Sequence, residues 1–313
     1  MEFTHVPVML DQTLSLIAPK QGIHHPLMVD ATLGLGGHAE AALERFPALH
    51  LIGIDRDPQA LEAASKRLGR FGVRFEAHLA TYDQIGEILG DRRADAILMD
   101  LGLSSLQIDA PERGFAYSAD APLSMRMDGD DSQVTAADVV NTYSFENLVR
   151  IFRVYGDEKY AARIARAIEK AREMEPFTTS ARLVDVIASA IPAGDTRKGH
   201  PAKRVFQAVR MEVNDERACL ERALPAGLAG LALGGRFAVL SYHSGEDRIV
   251  KQCFADACTD HVPHGLAVVP DQYQAQFTMV TRGADKPSEE EVASNPRSAS
   301  ARLRVIERIK EEQ

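Results

Sequence analysis

Met28 to Pro58 reads MVDATLGLGGHAEAALERFPALHLIGIDRDP, and the fold is decided there. A short apolar run enters Asp30. A loop containing Gly34, Gly36 and Gly37 follows, then an amphipathic stretch of helical period. A second apolar run, Leu49 to Ile54, ends on Asp55. Strand, glycine loop, helix, strand and acidic residue make the first βαβ half of a nucleotide-binding sheet. In such a unit glycines let the backbone pass close to a ligand, and an acidic residue about 20 positions on takes two ribose hydroxyls. The loop alone does not say which nucleotide is bound.

Working outward, Asp11 to Ala18 is a short helix ended by Pro19, and Asp57 caps a helix with Pro58 at its first position. Val73 to Ala77 and Ala94 to Met99 supply two more strands, the latter ending on Asp100. Strands alternating with helices predict a parallel sheet with right-handed crossovers. The rhythm breaks at Ala110 to Asp131, a loop rich in Gly, Pro, Asp and Ser. Four helical stretches follow without strands, at about 135–153, 157–174, 178–190 and 201–224. Strands resume at Arg236 to Leu240 and Ala301 to Ile306, with 260–297 irregular between them. The chain is therefore an α/β protein carrying an all-helical insertion.

At 313 residues, 45% hydrophobic and 26% charged, the composition is that of an ordinary globular protein. The N-terminus lacks the pattern of a signal peptide, and no apolar run approaches the roughly 20 residues that span a bilayer. A cytoplasmic location without membrane contact is expected. Cys219, Cys253 and Cys258 show no metal-binding spacing and read as reduced thiols, so no metal is expected. The net charge of −9 argues against indiscriminate polyanion binding. Arg150 to Arg210, however, holds 13 Lys/Arg against 7 Asp/Glu, leaving +6 there and −15 elsewhere. A basic island on an acidic chain suits a phosphate-bearing partner, although an ordinary solvated helical face has the same composition.

Ligands of open parallel sheets sit beyond the carboxyl ends of the strands. Asp30, Asp55 and Asp100 all fall at such ends. A methyltransferase needs a group after the fourth strand to face the reacting methyl, and Asp100-Leu-Gly-Leu-Ser104-Ser105 stands there. The residues alone support only methyl transfer to a phosphate-bearing substrate, and leave open as rivals a nicotinamide oxidoreductase on the same loop, a non-catalytic binding factor with a vestigial pocket and a DNA amino-methyltransferase. DLGLSS departs from the Pro-Pro-aromatic segment usual in the last of these.

The chain resembles the bacterial cytosine-N4 methyltransferases of 16S ribosomal RNA, the RsmH (MraW) family. The matching segments are HVPVML (5–10), DATLGLGGH (30–38), IDRDP (54–58), DLGLSS-x-Q-x-D (100–109), ERGFAY (112–117), PLSMRMD (122–128), HPAKRVFQAVRMEVN (200–214), SYHSGEDRIVK (241–251) and NPRSASARLR (295–304). They run in family order almost from end to end. Departures from the family's commoner residues are Tyr82 for Phe, Leu106 for Pro, Ser124 for Asp and Gly245 for Leu.

The resemblance implies a doubly wound, Rossmann-like class I methyltransferase sheet, mostly parallel with its last strand antiparallel. Residues 1–109 and 215–313 would bind S-adenosylmethionine, and 110–214 would be an inserted helical domain for substrate recognition. It implies that Gly36, Gly37 and His38 hold the cofactor, with Asp55 at the ribose, Tyr82 beside the adenine, and Asp100 and Gln107 near the methionyl end. The substrate would be the cytosine at position 1402 of 16S ribosomal RNA in the small subunit; a homodimer stays open. Asp100, the Leu101 carbonyl, and Ser104 or Ser105 are the candidates for accepting hydrogen bonds from the target amino group. Lys159, Arg163, Arg166 and Lys170 recur at helical spacing and form one candidate RNA face. Lys203, Arg204, Gln207 and Arg210 form a second. His200 reads as a structural or RNA-positioning residue, and His243 as one that shapes the site.

Overall fold

The computed structural model describes residues 6–104, 106–107, 110–117, 120–129, 134–192, 200–260, 262 and 270–311. The chain forms two compact units. One comprises residues up to Gly102 and from Ala218 onward, the other Leu103–Arg217.

The first unit is built on β1 (Leu27–Asp30), β2 (His50–Asp55), β3 (Phe75–Leu79), β4 (Ala94–Asp100), β5 (Leu231–Ser241), β6 (Phe277–Met279) and β7 (Arg302–Arg308). They form one sheet in the order β3-β2-β1-β4-β5-β7-β6. The β1–β5 ladders are parallel, whereas β7 runs antiparallel to both β5 and β6. This is the doubly wound, Rossmann-like arrangement with its last strand reversed.

Helices α1 (Leu10–Leu16), α2 (Gly37–Arg45), α3 (Pro58–Leu68) and α4 (Ile85–Leu89) precede the helical unit. That unit contains α5 (Ala136–Thr142), α6 (Phe145–Val154), α7 (Ala161–Met174), α8 (Ser180–Ala190) and α9 (Lys203–Val213). Then come α10 (Glu216–Gly230), α11 (Ser244–Ala257) and α12 (Glu289–Ser294).

Both faces of the sheet are covered, so its central strands are apolar throughout rather than alternating. Val29, Ile52, Ile97 and Phe237 point to one face, where Ile85, Leu224 and Phe254 from α4, α10 and α11 meet them. Met28, Leu51, Leu98 and Leu240 point to the other, against Leu14, Leu43 and Leu68 from α1, α2 and α3. Each fully buried Leu or Ile contributes about 1.5–3 kcal/mol. The helical unit has its own core, in which Leu148, Ile151 and Phe152 of α6 pack with Ile164 and Ile168 of α7 and Leu183 and Ile187 of α8.

Several boundaries depart from the sequence-based expectation: β3 starts at Phe75 rather than Val73, β5 at Leu231 rather than Arg236, and α7 at Ala161 rather than 157, which leaves Lys159 ahead of the helix. The helix expected over 135–153 breaks at Tyr143, because the Ser144 hydroxyl accepts from the Asn147 amide and starts α6. The helix expected over 201–224 breaks at Asn214 and Asp215, the latter at φ +49°. Asn214 holds that break open: its amide donates to the carbonyls of Met125 (2.7 Å) and Arg210 (2.8 Å), and its Oδ1 accepts from Met127 N (2.9 Å). Within 260–297, read as irregular, Phe277–Met279 adds a strand to the sheet edge.

Candidate active site

From β1 the chain winds outward through β2 and β3, then crosses back so that β4 lies on the other side of β1. That reversal leaves a crevice beyond the carboxyl ends of β1 and β4, the place where such sheets receive ligands. Asp30, Asp55 and Asp100 are the last residues of β1, β2 and β4. The loop leaving β1 reaches α2 through Gly36, which is at φ +77° and packs so that a Cβ would meet Leu68 Cδ1 at 3.1 Å. A Cβ on Gly37 would come within 2.6 Å of Pro7, so the loop tolerates no side chain there.

Each carboxylate has a defined setting. Asp55 accepts from Gly34 N through Oδ2 (2.7 Å) and from Asp57 N through Oδ1 (2.9 Å). It thereby ties the glycine loop to the turn after β2. Desolvation nonetheless pushes it up to about 6, against those two amides. Asp30 is buried and accepts from Thr32 N (3.2 Å). Burial first, then the charges of Asp100 and Asp55, push it to about 7. Asp100 is anchored through its backbone, whose N–H donates to Thr32 Oγ1 (2.6 Å), while its Oδ1 accepts from the Tyr242 hydroxyl (2.6 Å).

His38 is buried in the first turn of α2, with Nε2 3.1 Å from the Val8 carbonyl. A carbonyl only accepts, so Nε2 carries the proton and the neutral ring leaves Nδ1 as an acceptor. Nδ1 lies 3.7 Å from Asp100 Oδ2, close enough for an ion pair were the ring charged. Burial lowers His38 to about 4, so at neutral pH it is uncharged and that pairing is not a salt bridge.

Gly36, Gly37, His38, Asp55 and Asp100 thus meet at one end of the sheet, as the sequence predicts. Tyr82 opens the turn beyond β3, where Ala80 N donates to the Asp55 carbonyl (3.0 Å), and it packs partly buried against the core beneath. Ser104 and Gln107 belong to the helical unit and bond to each other: Ser104 N to Gln107 Oε1 (3.1 Å) and Gln107 N to Ser104 Oγ (3.3 Å). Ser105 lies outside the described residues. His243 caps α11, its Nδ1 accepting from Glu246 N (3.4 Å) while Glu246 Oε2 accepts from the backbone of Tyr242 (2.9 Å). Tyr242 and Thr32 escape the sequence reading. The available signal was adjacency: Asp100 pairs with Leu240, which puts Tyr242, just past the end of β5, beside it.

The two candidate RNA faces differ. On α7, Arg163, Arg166 and Lys170 are exposed, and no described carboxylate lies within ion-pair reach. With Phe145, Ala162, Ala167, Ser189 and Ala190 they line a groove of about 510 Å³, and the Arg166 guanidinium lies 5.1 Å from the centre of the Phe145 ring. Lys159 precedes the helix and lies over Tyr160. On α9, Arg210 is committed to Glu216 by two hydrogen bonds (2.7 and 2.8 Å), and Gln207 donates to the Tyr155 carbonyl (3.0 Å). Arg204 donates to the Asp157 carbonyl (2.6 Å), which leaves Lys203 as the exposed cation of that set with no side-chain hydrogen bond to another described residue. His200 stacks on Tyr117 (4.6 Å between ring centres) and accepts from Ala202 N (3.2 Å), a structural part.

Comparison with known proteins agrees with this geometry. The model of the MraW methylase family matches residues 2–309. A ribosomal RNA small subunit methyltransferase H from Nocardioides is 53% identical over 309 residues, covering 97% of this chain and 97% of that one. The protein of the same name from Thermobifida fusca is 53% identical over 311 residues, covering 98% and 94%. Its counterpart from Pseudarthrobacter chlorophenolicus is 52% identical over 315 residues, covering 98% and 95%. A glycine loop feeding α2, carboxylates ending three neighbouring strands and a near end-to-end match lead to one assignment: the chain belongs to the MraW methylase family.

Proposed function

We propose that the chain transfers a methyl group from S-adenosylmethionine to the exocyclic N4 of a cytosine of 16S ribosomal RNA, position 1402, in the small subunit. The observation that carries this reading is the carboxylate set at the ends of β1, β2 and β4, in a chain of this family. Asp30 is raised to about 7 by burial first and then by the charges of Asp100 and Asp55. A cationic ligand relieves that repulsion, and this cofactor carries both a sulfonium and an ammonium. When bound it supplies an electrophilic methyl group.

The residues divide the work. The amides of Gly37 and His38 opening α2 suit a carboxylate, as helix N-termini do, while Gly36, whose own amide donates to the Leu33 carbonyl (2.8 Å), lets the backbone pass close to the cofactor. Asp55 takes the ribose hydroxyls, Tyr82 lies beside the adenine, and Asp100 with Gln107 serves the methionyl end. The lone pair of a cytosine amino group is conjugated with its ring and is a poor nucleophile. Asp100, the Leu101 carbonyl, and Ser104 or Ser105 accept hydrogen bonds from its two N–H groups and turn the lone pair toward the methyl carbon. Alignment of this kind supplies rate through proximity. The methylated nitrogen is cationic and sheds its proton readily, so no strong base is needed.

The target base must leave its stack to react. The α7 groove suits the RNA around it: Arg163, Arg166 and Lys170 for phosphates, Phe145 as an apolar ring beside them. Lys203 and Arg204 of α9 add cations, whereas Arg210 braces the helix. The helical unit is on this reading the substrate-recognition part and the sheet unit the cofactor part. Among the described residues no helix is long and apolar enough to cross a membrane, and a ribosomal substrate supports a cytoplasmic location. The test is methylation of small subunits lacking the mark, followed by mass mapping of the modified nucleotide. N4-methylcytidine at the named position is expected; a methyl group on another base would refute the substrate.

A further inference from the structure

Asp100 reaches its position by a short route through the fold, but the direction of its carboxylate is set elsewhere. The second torsion of an aspartate is broad and nearly two-fold, so backbone anchoring alone does not aim the two oxygens. The Asp100 backbone is anchored by its N–H to Thr32 Oγ1. The carboxylate is held by Tyr242, just past the end of the neighbouring strand β5; the Tyr242 hydroxyl donates to Oδ1 at 2.6 Å. That distance is typical of a hydrogen bond to a charged acceptor.

We propose that Tyr242 is a positioning residue for catalysis, holding Asp100 Oδ1 so that Oδ2 keeps a single orientation toward the reacting amino group. This inference rests on the role given above to Asp100.

Three further observations support it. Tyr242 is itself braced at the backbone, where its N–H donates to Glu246 Oε2 at 2.9 Å, so the capping box of α11 fixes the residue that fixes Asp100. The ring packs against the core on the α1–α3 face of the sheet, and a Cβ on Gly102 would sit 3.6 Å from its Cδ2. The hydroxyl also stays a donor at every working pH. Burial, then Asp100, Glu246 and Glu291, all disfavour the phenolate. Tyr242 therefore supplies a constant hydrogen bond without a charge that would compete with a cationic cofactor.

The test compares Tyr242→Phe, which keeps the ring and removes only the donor, with Asp100→Ala. Each is measured for thermal stability, S-adenosylmethionine affinity by calorimetry, and kcat and KM on small subunits lacking the mark. The expected result for Tyr242→Phe is a fall in kcat of about 10-fold to 100-fold, the range for losing an outer hydrogen bond that orients a functional side chain. Cofactor Kd and KM for the subunit should stay within about 3-fold, and the double variant should lose no more than Asp100→Ala alone. If Tyr242→Phe turns over at the wild-type rate while Asp100→Ala is inactive, the Tyr242 proposal alone fails. If both turn over normally, the role of Asp100 fails and takes this inference with it. A fall in kcat matched by equal losses in cofactor affinity and stability would make Tyr242 structural and overturn the proposal.

Discussion

The strand ends of the sheet unit and the α7 face of the helical unit use charge in opposite ways. At the strand ends Asp30 and Asp55 are desolvated, held by backbone amides and raised in pKa by their surroundings. Along α7 the cations Arg163, Arg166 and Lys170 stand in solvent, and no described carboxylate reaches them. A buried acidic cluster is unfavourable until a cation arrives, so it selects a small cationic ligand. An exposed cationic stripe costs the fold little and attracts a large polyanion over a distance. The net charge of −9 averages these two opposite surfaces.

Changes confined to one region should leave the other's ligand untouched. Asp55→Ala removes the acceptor that also ties down Gly34 and Asp57, and it should weaken S-adenosylmethionine binding about 100-fold by calorimetry while leaving subunit affinity unchanged. Arg163→Glu combined with Arg166→Glu should weaken subunit binding about 30-fold near 0.1 M salt and lower the salt slope by about 2, with cofactor affinity unchanged. Loss of both affinities in either variant would mean a fold defect and would break the division.

Two smaller effects sharpen it. Asp30 goes from an ordinary 3.8 to about 7 on folding. Between those values the unfolded chain releases a proton that the folded chain keeps, so this group lowers stability as pH rises from about 4 to about 7. His38 is lowered to about 4 and acts in the opposite sense, adding stability as pH rises from about 4 to 6.5. Asp30→Asn should therefore gain stability relative to wild type between pH 4.5 and 7, on the order of 2 kcal/mol in urea titrations. A constant difference across that range would contradict the raised value. Arg210→Ala, which breaks the pair with Glu216, should cost about 1 kcal/mol of stability and scarcely alter RNA affinity.

What the sequence makes legible here is local. The glycine loop, the strand-ending carboxylates and the helical spacing of the α7 cations all lie within runs of neighbouring residues, and the structure keeps each. What it hides depends on distant partners. Asn214 ends α9 because Met125 and Met127, far back in the chain, supply two of its bonds. Tyr242 matters because parallel pairing sets β5 beside β4, and no periodicity near Tyr242 announces Asp100. Arg210 shares a helix with Lys203 and Arg204, yet Glu216 lies past the helix end and takes it out of the surface set. The strand Phe277–Met279 is too short for alternation to stand out and is fixed by its antiparallel neighbour and by burial of Phe277 in the same core as Phe254.

The claim that joins both regions is that methyl transfer passes through the carboxylate ending β4. It is tested most directly by single-turnover methylation of small subunits by Asp100→Ala at saturating S-adenosylmethionine, with thermal unfolding measured alongside. The account predicts a fall of about 1,000-fold or more in the transfer rate with a wild-type Tm. An unchanged transfer rate would contradict it.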